Sequence, residues 1–159
     1  MQVKTTNNKE LQKNNLMINL RLTNHPLVKR CKEYYMQVSI LWAAVVMSFI
    51  TFLVHTFVGS SRVAKPLLEN TSLPIASKWL NYYCWHITTI YTFLMGGGYA
   101  YVALNPHKPE LVIFLSLLNT CLAILSALVA IKGKINPLRF PSTSLFTTVS
   151  VLGIASLLV

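Results

Sequence analysis

The chain has 159 residues and a formal net charge of +10, and its 18 charged side chains are confined to a tail and three short connections. Too few residues remain outside its apolar stretches for a separate soluble domain. Its three cysteines lie far apart in sequence, which excludes both a disulfide framework and a C-x-x-C redox pair.

Four apolar stretches dominate the sequence, and none of them contains Lys, Arg, Asp or Glu. They are residues 36–58, 79–104, 111–131 and 142–159. An ionised side chain in hydrocarbon costs several kcal/mol, and a helix needs roughly 20 residues to cross a bilayer. The pattern therefore predicts an all-α membrane protein, with a four-transmembrane-helix bundle in residues 35–159.

Residues 1–34 form a polar basic tail, rich in Lys, Asn, Thr and Gln. This composition predicts a segment that is disordered or lies on the membrane surface. Half of the basic residues are in the tail and the rest are near helix ends, so anionic lipid head groups explain the charge better than nucleic acid does. We expect the partners to be the lipid bilayer and either other membrane subunits or further copies of this chain.

The connections carry helix stop and start signals. Ser72-Leu73-Pro74 predicts that the second helix begins before Trp79. The polar turn of residues 105–109 predicts an antiparallel hairpin of the second and third helices. Residues 132–134 and 137–141 predict the end of the third helix and the start of the fourth.

Basic residues in the connections predict the orientation only weakly. With the tail inside, eight basic residues are cytoplasmic and six are outside. We expect both termini to be cytoplasmic, because moving a long basic tail across the membrane is unfavourable.

Two groups of small residues predict where the helices pack. One polar and small face of the third helix recurs at three- or four-residue steps: Ser116, Asn119, Ala123, Ser126 and Ala130. The second helix carries Gly96, Gly97 and Gly98, where a neighbour can approach closely or the helix can bend. Packing is the commoner role of such residues, and a hinge or a substrate gap is the alternative.

His55 and His86 are the candidate site residues, because they are the only ionisable side chains within the spans that titrate near neutral pH. The helix boundaries place both near the membrane surface that carries the first connection, at similar depth. Neutral imidazoles there would each keep one acceptor nitrogen, the form that binds haem iron. A structural histidine is the commoner interpretation, and a haem b site or a proton or substrate path remains open.

Two runs near these histidines resemble a pattern in small bacterial inner-membrane proteins of unassigned function. They are His55-Thr56-Phe57-Val58-Gly59, with Arg62 and Pro66-Leu67-Leu68 after it, and Tyr83-Cys84-Trp85-His86. The resemblance extends from the first helix to the middle of the second. It implies a compact domain in a bacterial cytoplasmic membrane, and it implies no activity.

The spans contain no carboxylate, and the chain lacks motifs such as G-x-S-x-G, H-E-x-x-H and phosphate-binding glycine loops. A proton-coupled multidrug carrier of comparable size relies on a membrane-embedded glutamate, which is missing here. We therefore assign no catalytic residue and expect a non-enzymatic membrane protein, either an accessory subunit or a small binding protein. A haem or metal-binding protein that uses His55 and His86 is the alternative.

Overall fold

A computed structural model describes residues 26–159, and in this range the chain is helical without strands. The helices are α1 (Pro26–Leu53), α2 (Lys65–Glu69), α3 (Ile75–Leu104), α4 (Pro109–Lys132) and α5 (Pro141–Leu157). A π-helical segment, Val54–Ala64, joins α1 to α2, and a single 3-10 turn, Pro137–Arg139, precedes α5. The described residues divide into two units after Met36, namely residues 26–36 and residues 37–159.

Three helical stretches are long and apolar enough to cross a membrane. They are Pro26–Glu69, Ile75–Leu104 and Pro109–Lys132. Helix α5 is also apolar but has only 17 residues, which is the lower end of the range for a membrane-spanning helix. The predicted all-α class is therefore confirmed, together with three helices of membrane-spanning length.

Helix bounds differ from the predicted spans mainly in the first helix. It begins at Pro26 instead of residue 36, and helical structure continues past residue 58 to Glu69. The apolar pattern marks where hydrocarbon can surround the chain, whereas backbone hydrogen bonding continues through polar residues. Residues 26–34 of the predicted tail are helical, and residues 1–25 lie outside the described part, so a surface-lying tail stays a prediction.

The other helices begin and end close to the sequence signals. Helix α3 starts directly after Pro74. Helix α4 begins with Pro109, which fits the first position of a helix, and Glu110, whose negative charge suits the positive end of the helix dipole. Helix α4 ends at Lys132. Lys134 then adopts the left-handed conformation, with a φ of 56°, so this residue and not Gly133 reverses the chain.

Successive long helices pack antiparallel. Phe49 and Phe52 of α1 contact Phe93 of α3, with ring centroids 6.1 and 5.5 Å apart. The Tyr99 hydroxyl of α3 lies 3.2 Å from the Ser116 hydroxyl of α4. These contacts hold each helix to the next along the chain.

Helices α4 and α5 are in close contact at Gly153. A Cβ at this position would overlap the hydroxyl oxygens of Ser116 and Tyr99. Nearby, the Thr120 and Ser150 hydroxyls are 2.6 Å apart, and Ser126 lies 2.7 Å from Ser142. The small, polar face predicted for the third helix is therefore a packing face, and all five of its predicted residues are buried.

Polar side chains lie inside this arrangement and large apolar side chains outside. Ser116, Asn119 and Ser156 are buried, with at most 2% of their surface exposed. On the opposite side of α4, Leu117 and Leu128 are 60% and 58% exposed. Apolar side chains are also buried, so the exposed apolar surface is what differs from a protein folded in water.

Candidate functional site

The π-helical segment Val54–Ala64 is the unusual feature of the backbone. π-Helical turns are rare, are mostly a single turn long, and occur frequently at functional sites. Here the segment extends over 11 residues and contains His55, Gly59 and Arg62. A Cβ on Gly59 would lie 2.5 Å from a ring carbon of Trp85, so glycine is required where the indole crosses the segment.

His55 joins the π-helical segment to α3. Its ring stacks on that of Trp85, with centroids 4.0 Å apart and an interplanar angle of 17°. Its Nε2 lies 3.2 Å from the Trp85 carbonyl oxygen, which also accepts a hydrogen bond of 3.1 Å from the Thr89 hydroxyl. Since a carbonyl only accepts, Nε2 carries the hydrogen and Nδ1 is the acceptor nitrogen of His55.

Two hydroxyl side chains of α1 face inward, on the turns that precede His55. Ser48 and Thr51 are buried, and each hydroxyl donates to a carbonyl of its own helix, Ala44 and Met47 respectively. Together with Thr92 and Asn119 they line a small cavity of about 10 Å³, which is close to the volume that one water needs.

His86 has different surroundings from His55. It is exposed, and its ring meets that of Tyr82 edge-on, with centroids 4.5 Å apart. His55 and Cys84 both line a second, larger cavity, whereas His86 does not line it. Within residues 26–159, no cluster of three or more His, Cys, Asp or Glu side chains is arranged to hold a metal ion. Haem binding by His55 and His86 stays a prediction.

A large cavity lies where the π-helical segment, the first half of α3 and the start of α5 meet. Its volume is about 700 Å³, within the range of small-molecule sites. The apolar side chains that line it include Val54, Val58, Trp85, Phe140, Leu145 and Phe146. Polar groups are fewer, as is usual for a site that binds an organic ligand.

Two arginines line this cavity, Arg62 from the π-helical segment and Arg139 from the turn before α5. The ion pairs formed within the described part of the chain are Lys29–Glu33 and Lys65–Glu69, each at 3.9 Å. Neither arginine is therefore paired with a carboxylate of residues 26–159. A guanidinium remains protonated in proteins, so the cavity carries two positive charges.

Sequence reasoning found part of this site. His55 and Arg62 belong to the runs that carried the resemblance, and both line the cavity. Arg139 and Leu145 were missed, although the proline-bounded turn before the last helix was recognised. Their contribution depends on how α5 packs against the π-helical segment, and no local pattern encodes that.

No protein-family model, curated protein or solved structure matches this chain. The resemblance to small bacterial inner-membrane proteins therefore stays a prediction, and the site is interpreted from its own geometry.

Proposed function

We propose that this protein is an integral membrane protein whose four long helices form a transmembrane bundle. The exposed apolar surface supports this proposal, because side chains such as Leu80, Leu94 and Leu117 are each at least 60% exposed and need lipid around them. The buried hydroxyls of α4 and α5 supply the interhelical contacts that hold helices together in lipid.

We propose further that the chain resides in a bacterial cytoplasmic membrane with both termini in the cytoplasm. The resemblance of the His55 and Tyr83 runs supports the location, and the cost of moving the basic tail across the bilayer supports the orientation. In this orientation the first and third connections are external. The cavity lies near the external surface, because the residues that line it are close to these two connections.

Within that membrane, we propose that the protein binds a small amphipathic ligand and is not an enzyme. The single observation that carries this proposal is the cavity of about 700 Å³ with mostly apolar walls. The lining includes His55 and Cys84 but no carboxylate, and the hydrogen bond of the His55 ring goes to the Trp85 carbonyl oxygen instead of the thiol. Binding therefore fits the lining better than catalysis does.

The test is binding of Nile red, an uncharged apolar dye, to the detergent-purified full chain. We expect saturable binding of one dye per chain. Leu145→Trp places a larger side chain in the cavity and should weaken binding. Leu125→Trp is the matched control, because Leu125 is 56% exposed on α4 and does not line the cavity.

Equal dye binding by both tryptophan variants and the unmodified chain would overturn the binding proposal. An accessory subunit is the competing role. It predicts no saturable dye binding, together with a second polypeptide that copurifies in fixed ratio in mild detergent.

A further inference from the structure

We propose that the occupant of the cavity is an anionic phospholipid of the bilayer, with its phosphate held between Arg62 and Arg139. This inference rests on the proposed function, and it specifies the chemical class of the ligand. Charge, cavity shape and membrane depth each support it.

The guanidinium groups of Arg62 and Arg139 supply the positive charge in the cavity. Both line the same cavity, and neither has a carboxylate partner among residues 26–159. Guanidinium donors match the oxygens of a phosphate in a bidentate arrangement, which makes arginine the preferred side chain for phosphate recognition. An anionic head group would supply the counter-charge that the described residues do not.

The other cationic side chains at the same ends of the helices do not line the cavity. Lys65 lies 3.9 Å from Glu69, and the Lys78 ammonium donates to the Leu68 carbonyl oxygen at 3.2 Å. Lys132 and Lys134 do not line the cavity. Arg62 and Arg139 are therefore the cations available to a ligand inside it.

The cavity walls fit an acyl chain and not a free anion. Val54, Val58 and Leu145 form apolar wall next to the arginines, and Trp85 and Phe146 add aromatic surface. Inorganic phosphate would leave this wall in contact with water, whereas an acyl chain would cover it and gain the free energy of apolar burial. The combination of two cations and an apolar wall therefore selects an amphiphile with an anionic head.

The depth of the arginines fits a lipid from the surrounding bilayer. Arg62 follows the apolar stretch of the first span, and Arg139 comes just before the apolar α5. In a spanning bundle both side chains lie at the level of the phosphate groups, where basic side chains attract anionic lipids. A lipid can thus place its phosphate at the arginines while its tail follows the cavity into the hydrocarbon.

The experiment compares lipid retention in bilayer nanodiscs that contain equal amounts of phosphatidylglycerol and phosphatidylcholine with the same acyl chains. Native mass spectrometry of the full chain released from the discs counts the bound lipids. We expect one retained phosphatidylglycerol per chain. Arg62→Gln with Arg139→Gln should lower the preference for phosphatidylglycerol by about tenfold or more.

The matched control is Lys132→Gln with Lys134→Gln, which removes the same charge from the same ends of the helices but outside the cavity. It should keep the preference within about twofold of the unmodified chain. An equal loss in both double variants would overturn the proposal, because the preference would then come from the overall surface charge.

Two further arms identify the source of the phosphate and check the fold. Excess inorganic phosphate should leave the bound lipid in place, and its displacement of the lipid would overturn the proposal in favour of a free anion. Leu145→Trp keeps both arginines but narrows the cavity and should weaken lipid retention, and unchanged retention of phosphatidylglycerol by this variant would place the lipid outside the cavity.

Nile red binding separates the two proposals. The arginine double variant should still bind one dye per chain, which shows that its cavity is intact. Saturable dye binding by a chain that shows no preference for phosphatidylglycerol would overturn the lipid assignment and leave the proposed function in place. If the unmodified chain shows neither saturable dye binding nor a preference for phosphatidylglycerol, both the proposed function and the lipid assignment are overturned.

Discussion

The Trp85 indole lies flat on the His55 imidazole, with ring centroids 4.0 Å apart, and the Trp85 carbonyl oxygen accepts the hydrogen of His55 Nε2 at 3.2 Å. This pair holds the π-helical segment against α3. Both residues line the large cavity, so the contact that fixes the backbone also forms part of the proposed binding surface.

Gly59 should be required for this arrangement. Gly59→Ala places a Cβ 2.5 Å from the Trp85 ring and should destabilise the folded protein by about 1–3 kcal/mol, because the rigid indole must shift from its stack on His55. Detergent-based thermal unfolding would measure the change. Gly97→Ala is the matched control, since no atom lies within 4 Å of its added Cβ, and this variant should be neutral or slightly more stable. Equal destabilisation in the two variants would contradict the close Gly59–Trp85 contact.

Gly153, at the junction of α3, α4 and α5, should likewise not tolerate a larger side chain. Gly153→Ala would overlap the hydroxyls of Ser116 and Tyr99, and we expect a loss of about 1–3 kcal/mol of stability. Adding Ser116→Ala removes one of the overlapping atoms, so the double variant should lose less than the sum of the two single changes. Strict additivity in that double-mutant cycle would show that the two positions are not in contact.

Haem binding by His55 and His86 is the sequence-based alternative, and optical spectroscopy tests it. His55 lines the large cavity, whereas His86 is exposed, packs against Tyr82 and does not line that cavity. We therefore expect protein purified from its native membrane to show no Soret band. A Soret band that disappears in both His55→Ala and His86→Ala would contradict our account of this site.

The orientation is tested with a membrane-impermeant thiol reagent on intact cells. In a background with all three native cysteines replaced by alanine, Ser61→Cys should be labelled and Asn8→Cys should be spared. Labelling after cell lysis is the control that both thiols are reactive. The reverse pattern would place the cavity at the cytoplasmic surface, and it would show that the basic residues of the connections outweigh the tail.

Much of the helical architecture was predictable, because lipid imposes a strong pattern on sequence. The third helix, predicted at residues 111–131, is Pro109–Lys132, and its small polar face is buried as expected. Charged side chains and prolines mark these ends directly, and the three-to-four-residue spacing marks the face.

The cavity was not predictable in the same way. The π-helical segment adds about one residue to each turn, and its sequence contains no local signal that distinguishes it from an α-helix. Arg139 is separated from Arg62 by 77 positions in the chain, so their convergence follows only from tertiary packing. His55 was found because a titratable side chain in an apolar stretch is conspicuous, whereas an arginine at a helix end is ordinary.

Occupancy of the cavity is tested most directly by the alkylation rate of Cys84, which lines it and is exposed. The rate is measured with N-ethylmaleimide in nanodiscs, in a chain whose other cysteines are alanine. Cys121, exposed on α4 and outside the cavity, is the control in the corresponding variant. We predict that replacing phosphatidylcholine by phosphatidylglycerol slows alkylation of Cys84 several-fold and leaves that of Cys121 unchanged. Identical rates for Cys84 in the two lipids, or parallel slowing of both cysteines, would contradict an anionic lipid bound in this cavity.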